Sequence, residues 1–523
     1  MPQVRAVLFG AKPGCGRSSL HATRRQRANL GHHARARTWC DSRYISNVLN
    51  LLREHRRFFL WTILAALALR LLFFVYFPAV ADDSRVYLDL ANNWLQHGVY
   101  GQTQAGQIVP SDTRLPGYPA FLTAIFAIFG LGNIRAVLMT QILLDLGTCL
   151  IIADLARRVW GGRAARVAFL LAALCPFTAN YAAAVLTETL EIFFTALALD
   201  CAVMALGCMN DLGDARLACW RWWAATGVSI GACILLRPDG GILLAAVAVY
   251  LAILMGKARV ARKHVVSTLL AATTVFLFAL APLAPWTIRN FRTFHQFQPL
   301  APRYATESEE VVPRGFNRWV KTWIADYASV EEIYWNVPGD KIDAEKLPSR
   351  ALDTARESTL ALIADYNQAQ QLTPQLDARF AELGAERIRV HPVRYYVELP
   401  VLRIADMWLR PRTELLPSDV RWWEFNDDPK WSVLAVGFGA LNLAYVAAAL
   451  LALVRRHSDI RYIGLLVGFL LLRSAFLETI ENPEPRYTLE FYPVIIVLAA
   501  GFLAGESERR TGGGKFRDST PSP

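Results

Sequence analysis

The sequence predicts an all-α polytopic membrane protein, and three observations predict it. Charged residues make up 19% of the 523-residue chain, below the roughly 25% of soluble domains. Hydrophobic residues make up 54%. They gather in long runs, many near the about 20 residues that cross a bilayer as a helix. These runs exclude an ordinary soluble enzyme and a disordered chain.

Residues 1–57 read as a basic cytoplasmic tail. They hold 12 Lys+Arg against two Asp+Glu, so nearly all of the formal +11 lies there. Within them Gly10–Ser18 evokes a phosphate loop, but the spacing differs and Arg17 stands where that motif needs lysine. A solvated tail, or a start placed too far upstream, accounts for the stretch better.

Apolar runs follow at about 58–80, 135–153, 166–186, 188–208, 222–236, 240–256, 264–286, 432–454, 461–477 and 488–505. A shorter one, Leu115–Leu131, opens with Pro116 and Pro119. Loop charge decides its path. If it dips in and returns, the loops with Arg157, Arg158, Arg163 and Arg166, with Lys257, Arg259, Arg262 and Lys263, and with Arg455 and Arg456 all face the cytoplasm. The count is then about ten spans with both termini inside.

Five parts follow. After the tail, 58–286 forms an N-terminal membrane module with an external loop at 81–114. Residues 287–431 form an external soluble loop domain, 432–505 the C-terminal transmembrane helices, and 506–523 a second cytoplasmic tail. In the first loop Val86, Leu90 and Trp94 share a helical face with Tyr87, Ala91 and Leu95, ending at Gly98, as in a helix lying in the interface. In the soluble loop Arg350–Tyr396 looks helical, broken at Pro374 and Pro392. That loop is slightly acidic, so nucleic acid is not its partner. The eight cysteines show no CxxC pair or ligand spacing, which argues against a zinc site or a disulfide framework.

Polar groups collect at the external ends of the runs: Asp82, Asp83, Arg85, Arg114, Glu188, Arg237, Asp239, Arg289, Asn290, Glu484, Arg486 and Tyr487. Charge at membrane depth is costly unless paired or wet, so the clustering points to a site. Each residue also has a plainer use. One aspartate of the pair suffices to cap a helix, and Arg114 can snorkel. Arg70, Asp145 and Asp200 lie deeper and read as interhelical pairing groups.

Asp82-Asp83-Ser-Arg85-Val-Tyr87 and Thr113-Arg114-Leu-Pro116-Gly117-Tyr118-Pro119 come first in an ordered series. Pro176 with Thr187-Glu188, Leu236-Arg237-Pro238, Pro285-Trp286-Thr-Ile-Arg289-Asn290 and Pro483-Glu484-Pro-Arg486-Tyr487 complete it. The series resembles the GT-C superfamily of polyprenyl-phosphate-sugar-dependent glycosyltransferases, the protein O-mannosyltransferase and lipid A aminoarabinose transferase group. The resemblance implies a GT-C-type bundle of about 10–12 transmembrane helices with a large external loop domain. It implies a sugar donor linked to polyprenyl phosphate and an acceptor hydroxyl on protein, lipid or glycan, in a bacterial inner or plasma membrane. Asp82 would be the base, with Asp83 and Glu188 as further catalytic carboxylates. Arg85, Arg114, Tyr118, Arg237, Arg289, Arg486 and Tyr487 would bind substrate and phosphate. The resemblance fixes no cofactor; a divalent cation near Glu188 is a possible one. Trp319, Trp323, Trp335, Trp422 and Trp423 are candidates for stacking on sugar rings or for interface anchors. A flippase for a lipid-linked sugar is the rival reading, and a membrane scaffold is a third.

Overall fold

The computed structural model describes residues 53–211, 219–260, 265–302, 311–425 and 428–505. The tail through residue 52, with Gly10–Ser18, and the C-terminal tail from 506 fall outside these residues.

The molecule is an all-α membrane bundle carrying a second helical lobe. Among the described residues six helices are long and apolar enough to cross a membrane: Arg56–Tyr76, Ile134–Val159, Glu188–Met209, Pro238–Lys257, Pro429–Asp459 and Pro485–Leu503. A seventh results if Val265–Leu280 and Leu283–Phe294, bent by 42°, are one span. Gly117–Phe129 and Ile463–Leu477 are shorter apolar helices. The expected ten runs exceed these because several runs are short or broken. Run 166–186 becomes Gly162–Ala173 and Pro176–Tyr181, with Cys175 extended between them. Proline has no N–H to donate and disfavours helix in the residue before it. Run 222–236 is the 17-residue helix Trp220–Leu236. The 13-residue helix Gly117–Phe129 is about 20 Å long, short of a hydrocarbon core of about 30 Å.

The break after Tyr181 positions the site. Ala79 N–H donates to Ala183 O and Val185 N–H donates to Ala79 O, both at 3.0 Å. This parallel bridge between Ala79 and Ala184 binds the end of the first span to the entry of Glu188–Asp211. Asp82, Asp83 and Glu188 therefore begin their helices side by side.

The first loop opens with the expected amphipathic helix. Asp82–His97 is helical and ends at Gly98 in the left-handed region, φ +69°. Neither aspartate caps it: Ala81 is the N-cap, and its N–H donates to Ser84 Oγ at 3.0 Å. Leu90 and Ala91 are fully buried, and the helix packs on Gly117–Phe129 through Tyr87, Ala91, Tyr118 and Leu122. Gly101–Gln104 and Gln107–Pro110 then pair as an antiparallel hairpin. Its two turn residues, Ala105 and Gly106, both have positive φ, as a tight hairpin turn demands.

The lobe at 311–425 has its own core, centred on Phe316, Trp319, Trp323, Tyr366 and Phe380. The predicted helical stretch is Arg356–Ala369 and Pro374–Val390, separated where Thr373 caps and Pro374 opens the second helix. Asp377 Oδ1 accepts from Gly315 N–H at 2.8 Å and Phe316 N–H at 2.9 Å, closing the start of helix Arg314–Val320.

Two further findings concern small residues. Cys208 and Cys219 are paired in a disulfide, contrary to the expectation from spacing. One helix ends and the next begins there, and only that reversal makes the two neighbours. Cys149, Cys175, Cys201 and Cys233 are free and buried. The other is Gly227-Val-Ser-Ile-Gly231, a small-residue repeat that lets helix Trp220–Leu236 touch helix Val265–Leu280. A Cβ on Gly227 would meet Val275 O at 2.7 Å, and one on Gly231 would meet Ala279 O at 2.7 Å. Gly231→Val should therefore destabilise the protein by about 1–3 kcal/mol through overpacking. It should lower the thermal midpoint of the detergent-solubilised protein, whereas Gly256→Ala, with open space around its Cβ, should not. An unchanged midpoint for Gly231→Val would refute the close contact.

Candidate active site

A cavity of about 1170 Å³ lies between the first loop, the lobe and the segment before the last helix. Of the predicted site residues, Asp82, Asp83, Arg114, Arg237, Arg486 and Tyr487 line it. Burial and pairing set each apart.

Asp83 is the meeting point. Arg114 Nη2 donates to its Oδ1 at 3.0 Å and Arg486 Nη2 to its Oδ2 at 3.1 Å. Burial alone would raise the Asp83 carboxyl, but the two guanidiniums outweigh it and hold the pKa below the ordinary carboxylate value. Arg486 is held in turn by Glu484, at 2.6 Å from Nε, and lies 3.8 Å from Glu188. Tyr487 OH donates to Glu484 Oε1 at 2.5 Å, and Asn482 Nδ2 donates to both residues. Arg237 lies 3.8 Å from Glu188, 3.5 Å from Glu191 and 3.2 Å from Asp239, with its guanidinium 4.5 Å from the Tyr487 ring centroid. Deeper still, Arg473 bridges Asp239 and Glu490 at 3.0 Å each. Charges thus alternate in sign from the first loop into the bundle, as the low dielectric there requires.

Asp82 is outside this network. Its side chain is 98% exposed, and its one ion pair is a loose 3.7 Å contact with Arg85. Two carboxylates adjacent in sequence therefore differ: one locked, one free.

Three predicted phosphate ligands are placed elsewhere. Arg85 is 78% exposed and does not line the cavity. Tyr118 is buried and donates to Gln141 Oε1 at 2.7 Å, while Gln141 donates to Ala184 O at 2.7 Å; it braces the bridge behind the site. Arg289 donates to Ser111 O at 2.8 Å and Tyr100 O at 2.5 Å, and packs against the rings of Tyr100 and Trp286. It anchors the hairpin. Glu188 is buried behind the cavity wall, near Arg237 and Arg486. Among the tryptophans Trp335 lines the cavity, whereas Trp319 and Trp323 fill the core of the lobe. The deep charges pair as read: Arg70 with Asp145 at 2.7 Å, and Asp200 with Arg158 at 3.0 Å. Among the described residues no group of three or more His, Cys, Asp or Glu is arranged to hold a metal ion.

The structure adds residues that the motif series did not single out. Tyr181, Tyr327, Glu331 and Glu414 also line the cavity. Burial pushes the Glu331 and Glu414 carboxyls above the ordinary range. Arg410-Pro-Arg412-Thr-Glu414 is dense in charge between an apolar helix and the Trp422–Trp423 pair, and that density was the available signal.

Residues 111–286 match the family described as dolichyl-phosphate-mannose-protein mannosyltransferase. The match takes in Arg114, Glu188 and Arg237 and stops short of Asp82 and Asp83. No curated protein sequence matches the chain. A solved structure of the archaeal oligosaccharyltransferase AglB from Archaeoglobus fulgidus, with an inhibitory peptide and a dolichol-phosphate, is similar at 15% identity and TM-score 0.46. The match covers 86% of this chain and 50% of that one, so the chain spans about half its length. ArnT from Cupriavidus metallidurans bound to undecaprenyl phosphate is similar at 14% identity and TM-score 0.33, over 85% of this chain and 77% of that one.

The depressed Asp83 pKa carries a signed consequence. Its contribution to stability is present above the unfolded carboxyl value of about 3.9 and is lost as pH falls through the lower folded value. With Asp83 about one-third exposed, the contribution is held to about 1 kcal/mol by solvent screening. Thermal melts of wild type and Asp83→Asn should differ above pH ~4 and converge below it. A constant gap across that range would show that Asp83 acts by something other than its charge.

Proposed function

We propose, on the premise that residues 111–286 match the dolichyl-phosphate-mannose-protein mannosyltransferase family, that the protein is a membrane glycosyltransferase. It moves a sugar from polyprenyl phosphate to an acceptor hydroxyl on the external face of the membrane. One observation carries the reading: a free carboxylate, Asp82, shares a cavity with the guanidiniums of Arg114, Arg237 and Arg486, at the junction of apolar bundle and polar lobe.

In the transfer the acceptor oxygen attacks the anomeric carbon as the bond from that carbon to the phosphate oxygen breaks. Attack opposite the leaving group inverts the centre. Asp82 takes the hydroxyl proton. Being uncommitted to the network, it is available to do so, whereas Asp83 is spent on aiming Arg114 and Arg486. The electron pair of the broken bond remains on polyprenyl phosphate. Its growing charge is met by guanidinium N–H groups already oriented, so little reorganisation is needed at the moment of reaction. Glu188 positions Arg237 and Arg486 from behind. The lipid tail lies among the apolar helices, and the lobe covers the site and limits water.

The external placement rests on charge. Arg157 and Arg158 end a helix whose Gln141 donates to Ala184 O, four residues before Glu188, and Arg158 pairs with Asp200, 12 residues along the helix from Glu188 and so about 18 Å away. Basic residues at that far end mark the inner side. A membrane-impermeant thiol reagent applied to intact cells should label Gln107→Cys, at the hairpin tip, and leave Arg163→Cys unlabelled. The reverse pattern would invert the topology.

With an undecaprenyl-phosphate-linked sugar, Asp82→Asn should lower turnover about 10²–10⁴-fold, the usual worth of a general base, while still binding undecaprenyl phosphate. Arg486→Ala should weaken that binding as well. Full turnover by folded Asp82→Asn would dismiss it as the base. Movement of the lipid-linked sugar across vesicles without transfer would favour a flippase.

A further inference from the structure

The cavity has a second pole that the transfer chemistry leaves unused. Glu414 lines it, and its carboxylate oxygens, both shielded from solvent, accept no hydrogen bond from another residue. The Tyr181 hydroxyl lines the same cavity, buried and equally without a partner. Its closest charges include Glu414, Glu188 and Arg486, so it lies near both Glu414 and the guanidinium cluster.

The neighbouring cations, Arg412 and Arg410, reach Glu414 by charge alone and give their hydrogen bonds elsewhere. Arg412 donates to Tyr492 OH, Pro485 O, Met407 O and Thr488 Oγ1 at 2.6–3.2 Å. Arg410 pairs with Asp406 at 3.7 Å and lies over the Tyr327 and Trp423 rings. A solvent-shielded carboxylate that no other residue satisfies is costly, and a ligand that brings donors would complete it.

The lining states what kind of ligand. Glu481 and Glu484 are paired with Lys321 and Arg486, but Glu331 and Glu414, both near Tyr327, oppose an anionic acceptor such as a phosphate-bearing head group at that pole. Tyr327 and Trp335 meet edge to face, with centroids 5.7 Å apart, and both line the cavity, offering aromatic surface to an apolar ring face. Two free carboxylate oxygens match two adjacent hydroxyls. The volume of about 1170 Å³ exceeds the about 300–1,000 Å³ of a usual pocket, leaving room for an acceptor beside the donor sugar.

We propose that Glu414, with Tyr181, positions the acceptor, and that the acceptor is the neutral, polyhydroxylated end of a carbohydrate chain. This rests on the glycosyltransferase reading and names the acceptor class for it.

The test uses the full chain in lipid nanodiscs, with tryptophan fluorescence following neutral trisaccharides (mannotriose, maltotriose and a galactose trisaccharide) and, separately, undecaprenyl phosphate. Wild type should bind at least one trisaccharide saturably. Glu414→Ala should weaken that binding ~10-fold or more, the worth of hydrogen bonds to a charged group. Glu414→Gln, which keeps the shape and one acceptor oxygen, should fall between, and undecaprenyl phosphate affinity should stay within about twofold. Absence of saturable trisaccharide binding to wild type, or equal binding by Glu414→Ala, overturns the inference. So does loss of both ligands in Glu414→Ala and Glu414→Gln, which would make Glu414 structural, or Glu414-dependent binding of a Ser/Thr peptide alone. If trisaccharide binding depends on Glu414 but no undecaprenyl-phosphate-linked sugar is ever transferred, the carbohydrate site stands and the transferase reading falls.

Discussion

Asp83 accepts from Arg114, 31 residues ahead, and from Arg486, 403 residues ahead. Those two bonds tie the first loop to the entrance of the last helix, and the rest of the site depends on them. A guanidinium brought into a bundle of apolar helices must find a counter-charge or leave. Arg486 finds Asp83, Glu484 and Glu188; Arg237 finds Glu188, Glu191 and Asp239; Arg473 finds Asp239 and Glu490. Most members have two or three partners, so the network holds its geometry through shared contacts rather than isolated pairs.

Backbone geometry brings the members within reach. Pro176 breaks the third apolar run, and the freed chain pairs at Ala184 with Ala79. Two helices therefore begin at the same level, each with acidic residues in its first turn, Asp82 and Asp83 in one and Glu188 and Glu191 in the other. Carboxylates are favoured there by the helix dipole. Tyr118 and Gln141 brace the bridge from behind. A residue expected to touch phosphate thus serves the scaffold that presents the residues lining the cavity.

The motif series led to residues that share one cavity, because charge among apolar runs is rare and so conspicuous. It was less able to separate lining from support. Arg289 and Arg114 look alike in sequence, each beside a proline-bearing apolar run, yet one reaches backbone carbonyls of the hairpin and the other Asp83. Arg289 stands on helix Leu283–Phe294 and Arg114 in the bend before Gly117, and a single charge carries no information about which neighbours the fold brings to each. Trp319 and Trp323 fill the lobe's core for a related reason: aromatic composition is the same for a stacking platform and for a packed interior. Glu414 escaped because its meaning is a missing partner, and a missing partner exists only in three dimensions.

By itself the sequence determined the membrane class, the approximate places of the apolar helices, the break at Pro374 and the pool of charges from which the site is drawn. These follow from local rules: apolar length, proline's missing N–H and the cost of charge in hydrocarbon. Only the tertiary structure decided that Asp83 is locked while Asp82 is free, that Cys208 meets Cys219, and that Glu414 stands unpartnered in the cavity. Each of these depends on residues far apart in the chain or on the reversal of a helix pair. Pairing in a low-dielectric interior is settled by distances of a few ångströms that no local pattern encodes.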